Sequence, residues 1–214
     1  SIWETNDMAI ITQLGNRIEL VSMDKHFHDI TLGLYEQLSV DGVPEFIVHS
    51  YAGKDGTAER IQFVMRAMQN WGGIKSTPGG SLRFACGSVH RAACKRLFIE
   101  ASKLVGDAPP EVRPLSIHDK KADCEMTVAS LGGGAYRVTA KSEDESVVRR
   151  VKAIAGGLRK LGEMADSGGD EEARFACGTT HDALVGMLLV RAPNVRAVLR
   201  EEDAAAAQGV LAAP

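Results

Sequence analysis

An eight-residue segment occurs twice in this chain. Arg83-Phe84-Ala85-Cys86-Gly87-Ser88-Val89-His90 is followed 91 residues later by Arg174-Phe175-Ala176-Cys177-Gly178-Thr179-Thr180-His181. Six of the eight positions are identical, and Ser88/Thr179 is a chemical match. A repeat at a nearly fixed offset restricts the fold strongly, because each copy must be one supersecondary unit that buries its apolar face against a neighbour.

The match extends outward from the motif. Ile61, Val64, Met65, Met68 and Trp71 follow the spacing of an apolar helix face, and at an offset of 90 they fall on Val151, Ile154, Ala155, Leu158 and Leu161. At the same offset Phe46 and Val48 fall on Tyr136 and Val138, and Gly72 on Gly162. Ile30, Leu32 and Leu34 match Cys124, Met126 and Val128 at an offset of 94. The offset changes in loops, where insertions are tolerated. Each unit reads strand, strand, helix, strand, helix. In the first copy the elements cover 30–36, 45–52, 56–71, 82–86 and 88–104; in the second, 124–130, 135–141, 144–162, 173–177 and 179–191. The expected fold is α/β of the α+β type: two tandem β-β-α-β-α units about a pseudo-twofold axis, with mixed or antiparallel sheets and helices packed on one face. The domain division is 1–108, with an added hairpin formed by 8–12 and 17–22; 109–200; and an alanine-rich tail over 201–214. Gly132-Gly133-Gly134 marks the turn of the second hairpin. Gly156-Gly157 interrupts a helix and suggests close packing or a kink.

Composition excludes some partners. A net charge of −3 and no basic run beyond Arg149-Arg150 with Lys152 argue against nucleic acid. No segment approaches the ~20 apolar residues needed to cross a bilayer. Four cysteines in 214 residues do not make a disulfide scaffold, so free thiols and a cytoplasmic location are expected. The partners this leaves are a small-molecule ligand or another protein, a second copy of the chain included.

The repeated motif carries the candidate chemistry. It sets a cysteine at a strand end, a glycine to turn the chain, a Ser or Thr in an N-cap position, and a helix. Three readings fit. In the first, Cys86 and Cys177 are core filler, Ser88 and Thr179 are caps, and the chain is a scaffold or small-molecule-binding module. In the second, Cys86/His90 and Cys177/His181 are nucleophile–base pairs acting on a small anionic or carbonyl substrate. There Gly87, Ser88, Gly178 and Thr179 offer backbone N–H groups to it, and Arg83 and Arg174 add positive charge. In the third, the two cysteines and two histidines meet as a tetrahedral zinc site, although neither copy has a Cys-X-X-Cys knuckle. A separate metal candidate is His26, His28 and His49, with Asp24 or Asp29.

No GxGxxG after a strand, Walker A, HExxH or GxSxG pattern occurs, so the sequence implies no particular cofactor. The asymmetry at the helix entrance stands out. Asp182 suits a helix N-terminus, whereas Arg91, in the matching position, does not. Cys94 and Cys124 have no counterpart cysteine and read as apolar filler.

Overall fold

The computed structural model describes residues 17–25, 30–50, 55–104, 106 and 108–211. The first half runs β1 (Ile18–Lys25), β2 (Ile30–Leu38), β3 (Pro44–Ser50), α1 (Thr57–Gly72), β4 (Lys75–Ser76), β5 (Leu82–Arg83) and α2 (Arg91–Ser102). The second runs β6 (Ser116–Asp119), β7 (Cys124–Gly132), β8 (Ala135–Ala140), α3 (Glu145–Gly162), β9 (Glu172–Arg174) and α4 (Asp182–Arg191). A 3-10 turn over Ala192–Asn194 leads into α5 (Val195–Leu211), which continues through the alanine-rich run. The proposed strand at 8–12 lies outside the described residues. Among the described residues, no helix is long and apolar enough to cross a membrane.

Two antiparallel sheets result, in the orders β1-β2-β3-β5-β4 and β6-β7-β8-β9. Their registers run in step. Leu34 faces Val48 in the first sheet and Val128 faces Val138 in the second. Phe46 faces Leu82, and Tyr136 faces Ala173. In each half a glycine at the end of one helix admits a leucine of the next: a Cβ on Gly72 would meet Leu97, and one on Gly162 would meet Leu188.

The helices form where the apolar stripes fall. α3 starts at Asp144, whose carboxylate accepts the N–H of Ser146 at 2.8 Å, and carries Arg159 and Lys160 in its last turn. α1 stops at Gly73 (φ 60°), whose N–H returns to the Gln69 carbonyl. Glu163 takes the same left-handed position after α3, with φ 51°.

Both sheets feed one continuous core. It joins Leu32, Leu34, Phe46 and Val48 of the first half to Met126, Val128, Tyr136 and Val138 of the second, through buried residues of α1 to α4. α1 packs on α2 and also on α4 of the other half. The outer face of β7 is solvated, with Glu125, Thr127 and Ala129 exposed between buried Met126 and Val128. β2 differs from the one-faced expectation: Leu32 to Glu36 are buried on both faces. Its second face holds Tyr35, edge-to-face with His49, while Glu36 lies on the same face as Leu32 and Leu34 and receives Arg91.

Candidate metal centre

The fold brings the two copies of the motif to one place. β5 and β9 end at Arg83 and Arg174, and each chain then turns through a tight corner into α2 or α4. The corners have the same internal bonds. The N–H of Gly87 donates to the Phe84 carbonyl at 3.1 Å, and that of Gly178 to the Phe175 carbonyl at 3.1 Å. Gly87 and Gly178 have φ 72° and 71°, the left-handed region that favours glycine.

The expected Ser and Thr caps are not formed. The helices begin later, capped at His90 and His181 without a side-chain cap bond. Ser88 and Thr179 instead donate their backbone N–H groups to the sulfurs of Cys86 and Cys177, each at 3.4 Å. The sulfur thus takes the acceptor role that a capping hydroxyl would have filled. Each cysteine also lies against its own histidine: Cys86 Sγ to His90 Nε2 is 3.3 Å, and Cys177 Sγ to His181 Nε2 is 3.2 Å.

The four donor atoms of Cys86, His90, Cys177 and His181 all lie within 4.8 Å of one another. A tetrahedron with Zn–S of about 2.3 Å and Zn–N of about 2.0–2.1 Å has S···N edges of about 3.5 Å, close to both Cys–His distances. The rings of His90 and His181 meet edge-to-face. Phe84 and Phe175 pack edge-on beneath them, with Phe84–His90 centroids 4.9 Å apart and Phe175–His181 centroids 5.1 Å apart. This aromatic floor fixes the imidazoles and shields one side of the cluster.

The electrostatics suit neutral imidazoles. Burial, with His181 adding to it, pushes His90 down to about 4. Burial also lowers His181, against the opposing charge of Asp182. The Cys86 thiol is pushed up by burial, with the neighbouring Cys177 adding to it, against the Ser88 N–H that favours the thiolate. These directions favour a protonated Cys86 sulfur and neutral imidazoles.

The surroundings of the two corners differ. The Tyr136 hydroxyl accepts the N–H of His181 at 2.5 Å and donates to Asp182 at 3.0 Å. Burial, with the Asp182 carboxylate adding to it, raises the Tyr136 phenol. In the first half the matching residue is Phe46, and Arg91 in place of Asp182 binds Glu36 through Nη2 at 2.8 Å. The unfavourable cation at a helix start is thus drawn to a buried carboxylate on β2. Tyr136 was missed as a site residue by sequence reasoning; the signal was a tyrosine replacing a phenylalanine at matched positions.

The remaining candidates lie elsewhere. Arg83 pairs with Asp41 at 3.5 Å, beside a cavity of about 760 Å³ that reaches Phe84, Ala85 and Gly87. Arg174 is exposed on β9. His49 is exposed on β3, while His26, His28 and Asp29 lie outside the described residues. Cys94 is fully buried and Cys124 partly buried on β7. No family model, curated protein or solved structure matches this chain.

Proposed function

We propose that this chain is a metalloprotein in which Cys86, His90, Cys177 and His181 hold one zinc ion, and that the ion clasps two halves descended from a duplicated segment. The observation that carries this reading is the convergence of four soft and borderline donors, two from each half, within 4.8 Å. Four protein ligands form a closed set, which is the pattern of a structural rather than a catalytic zinc. The matched registers, the matched Gly–Leu contacts and the two corners with positive φ at Gly87 and Gly178 support the duplication.

At the first corner the pKa directions favour this over the nucleophile–base reading. A catalytic cysteine needs a lowered thiol pKa and a histidine able to take its proton. Here Cys86 is raised and His90 falls to about 4, so that pair rests neutral. The cavity beside the first corner, lined by Asp41, Glu45, Thr77 and Arg83, supports a module that binds a small polar ligand next to the clasp.

Elemental analysis of protein purified without an affinity tag tests the reading. One zinc per chain is expected, with loss of both metal and thermal stability in the Cys86→Ser/Cys177→Ser double variant. Cobalt substitution should give thiolate charge-transfer bands and the intense visible bands of a tetrahedral ion. Protein that takes up neither ion stoichiometrically, and whose stability ignores chelators, would overturn it.

A further inference from the structure

We infer that the Cys86/Cys177 pair is a peroxide-sensitive switch that ejects the zinc by closing an internal disulfide. This regulation rests on the metal reading above. The sulfurs come from separate corners yet lie within 4.8 Å of each other. Both cysteines are partly exposed, whereas Cys94 is fully buried and Cys124 sits outside the cluster. An oxidant from solvent therefore reaches the ligand sulfurs in preference to Cys94.

The corners have room to move. A disulfide needs the sulfurs at about 2.05 Å, so from a separation of at most 4.8 Å each must advance by up to about 1.4 Å. Gly87 and Gly178 flank the two cysteines, are exposed, and have nothing within 4 Å of where a Cβ would stand. The movement stays local, because the strand and helix on either side are held by the buried Phe84, Phe175, Leu97 and Leu188.

The chemistry balances with hydrogen peroxide as the oxidant. One zinc-bound thiolate attacks a peroxide oxygen, becoming a sulfenic acid as the O–O bond breaks and hydroxide leaves. The second thiolate attacks the sulfenic sulfur, the S–S bond forms, and a second hydroxide leaves. Two protons from solvent convert the hydroxides to two waters. The sulfurs lose two electrons and the peroxide gains them. Zinc keeps its charge and is left with two neutral imidazoles, too few to hold it. A dithiol reductant reverses the oxidation.

The test uses tag-free, full-length protein loaded with zinc, hydrogen peroxide in slight excess, and a chromogenic chelator. The products are alkylated, digested and mapped by mass spectrometry. One zinc released per chain, together with an intramolecular Cys86–Cys177 disulfide and renewed zinc binding after dithiothreitol, is the expected result. A Cys86→His variant retains four ligands but cannot form the disulfide, so it should keep its zinc under the same dose. Zinc retained by the unaltered protein, or released with sulfinic acids or intermolecular disulfides instead, would overturn the switch and leave the metal reading standing. If no zinc loads at all, the metal reading fails before peroxide is added.

Discussion

The imidazoles of His90 and His181 stand edge-to-face, with centroids 4.9 Å apart and ring planes at 77°, although the residues belong to different halves of the chain. Two cations at that separation repel each other, and both rings are lowered mainly by burial, His90 to about 4. In an unfolded chain histidine titrates near 6.5. Between about 6.5 and about 4 the unfolded state therefore holds more protons than the folded one, and stability of the metal-free protein rises with pH there. The His90 contribution is complete above about 6.5 and lost as pH falls through about 4. Urea denaturation of metal-free protein should give a lower midpoint at mildly acid than at neutral pH, and His90→Gln should flatten that dependence. An equally steep dependence in the variant would count against the assignment.

The two corners should respond alike to the same substitution. Gly87 and Gly178 have φ 72° and 71°, with no neighbour within 4 Å of an added Cβ. Strain is then the main cost of alanine at either position, about 1–2 kcal/mol. Thermal denaturation of Gly87→Ala and Gly178→Ala should show similar losses. A loss at one corner several times that at the other would separate their geometries.

Much of this architecture is written in local pattern. The stripe from Ile61 to Trp71 and its counterpart from Val151 to Leu161 place α1 and α3, and three glycines at 132–134 place the hairpin turn with φ of 82°, 55° and 75°. The convergence of Cys86, His90, Cys177 and His181 is another matter. It depends on how one corner meets the other, and no spacing within either copy encodes that. The partner of Arg91 lies 55 residues away on β2, so local electrostatics alone made the residue look misplaced. The Ser and Thr capping pattern is present in the sequence, yet in the fold the cysteine sulfurs take the N–H groups of Ser88 and Thr179, and the helices start later. β4, two residues long, has no alternation to read.

The paired glycines of α3 should diverge on substitution. A Cβ on Gly157 would meet the Ala192 carbonyl oxygen at 2.5 Å, and backbone cannot easily give way. Gly157→Ala should therefore cost about 1–3 kcal/mol through overpacking. At Gly156 the nearest atom is the flexible end of Arg159 at 3.6 Å. Gly156→Ala should stabilise the protein by up to about 1 kcal/mol through helix propensity. Chemical denaturation of both variants checks the opposite signs. It also separates the two explanations of the glycine pair, since a helix that needed a flexible kink would lose stability at both positions.

Tyr136 offers the sharpest test of the asymmetry between the halves. Its hydroxyl accepts the His181 N–H and donates to Asp182, and its ring packs edge-on against Phe175 at 6.2 Å. Tyr136→Phe keeps the ring and removes only the oxygen, producing the residue that occupies the matching place at Phe46. The part-buried N–H of His181 then loses its acceptor, a cost of about 1 kcal/mol. Because that N–H belongs to a proposed ligand, the loss should reach the metal: removing a group that orients a ligand lowers affinity by about 10–100-fold. Competition with a chelator of known strength measures this, beside a thermal melt of the metal-free protein. A stability loss with unchanged zinc affinity would mean that the tyrosine supports the fold alone. A matched Phe46→Tyr substitution should not rescue the loss, since Arg91 at the first corner is turned to Glu36 and offers no carboxylate to the new hydroxyl.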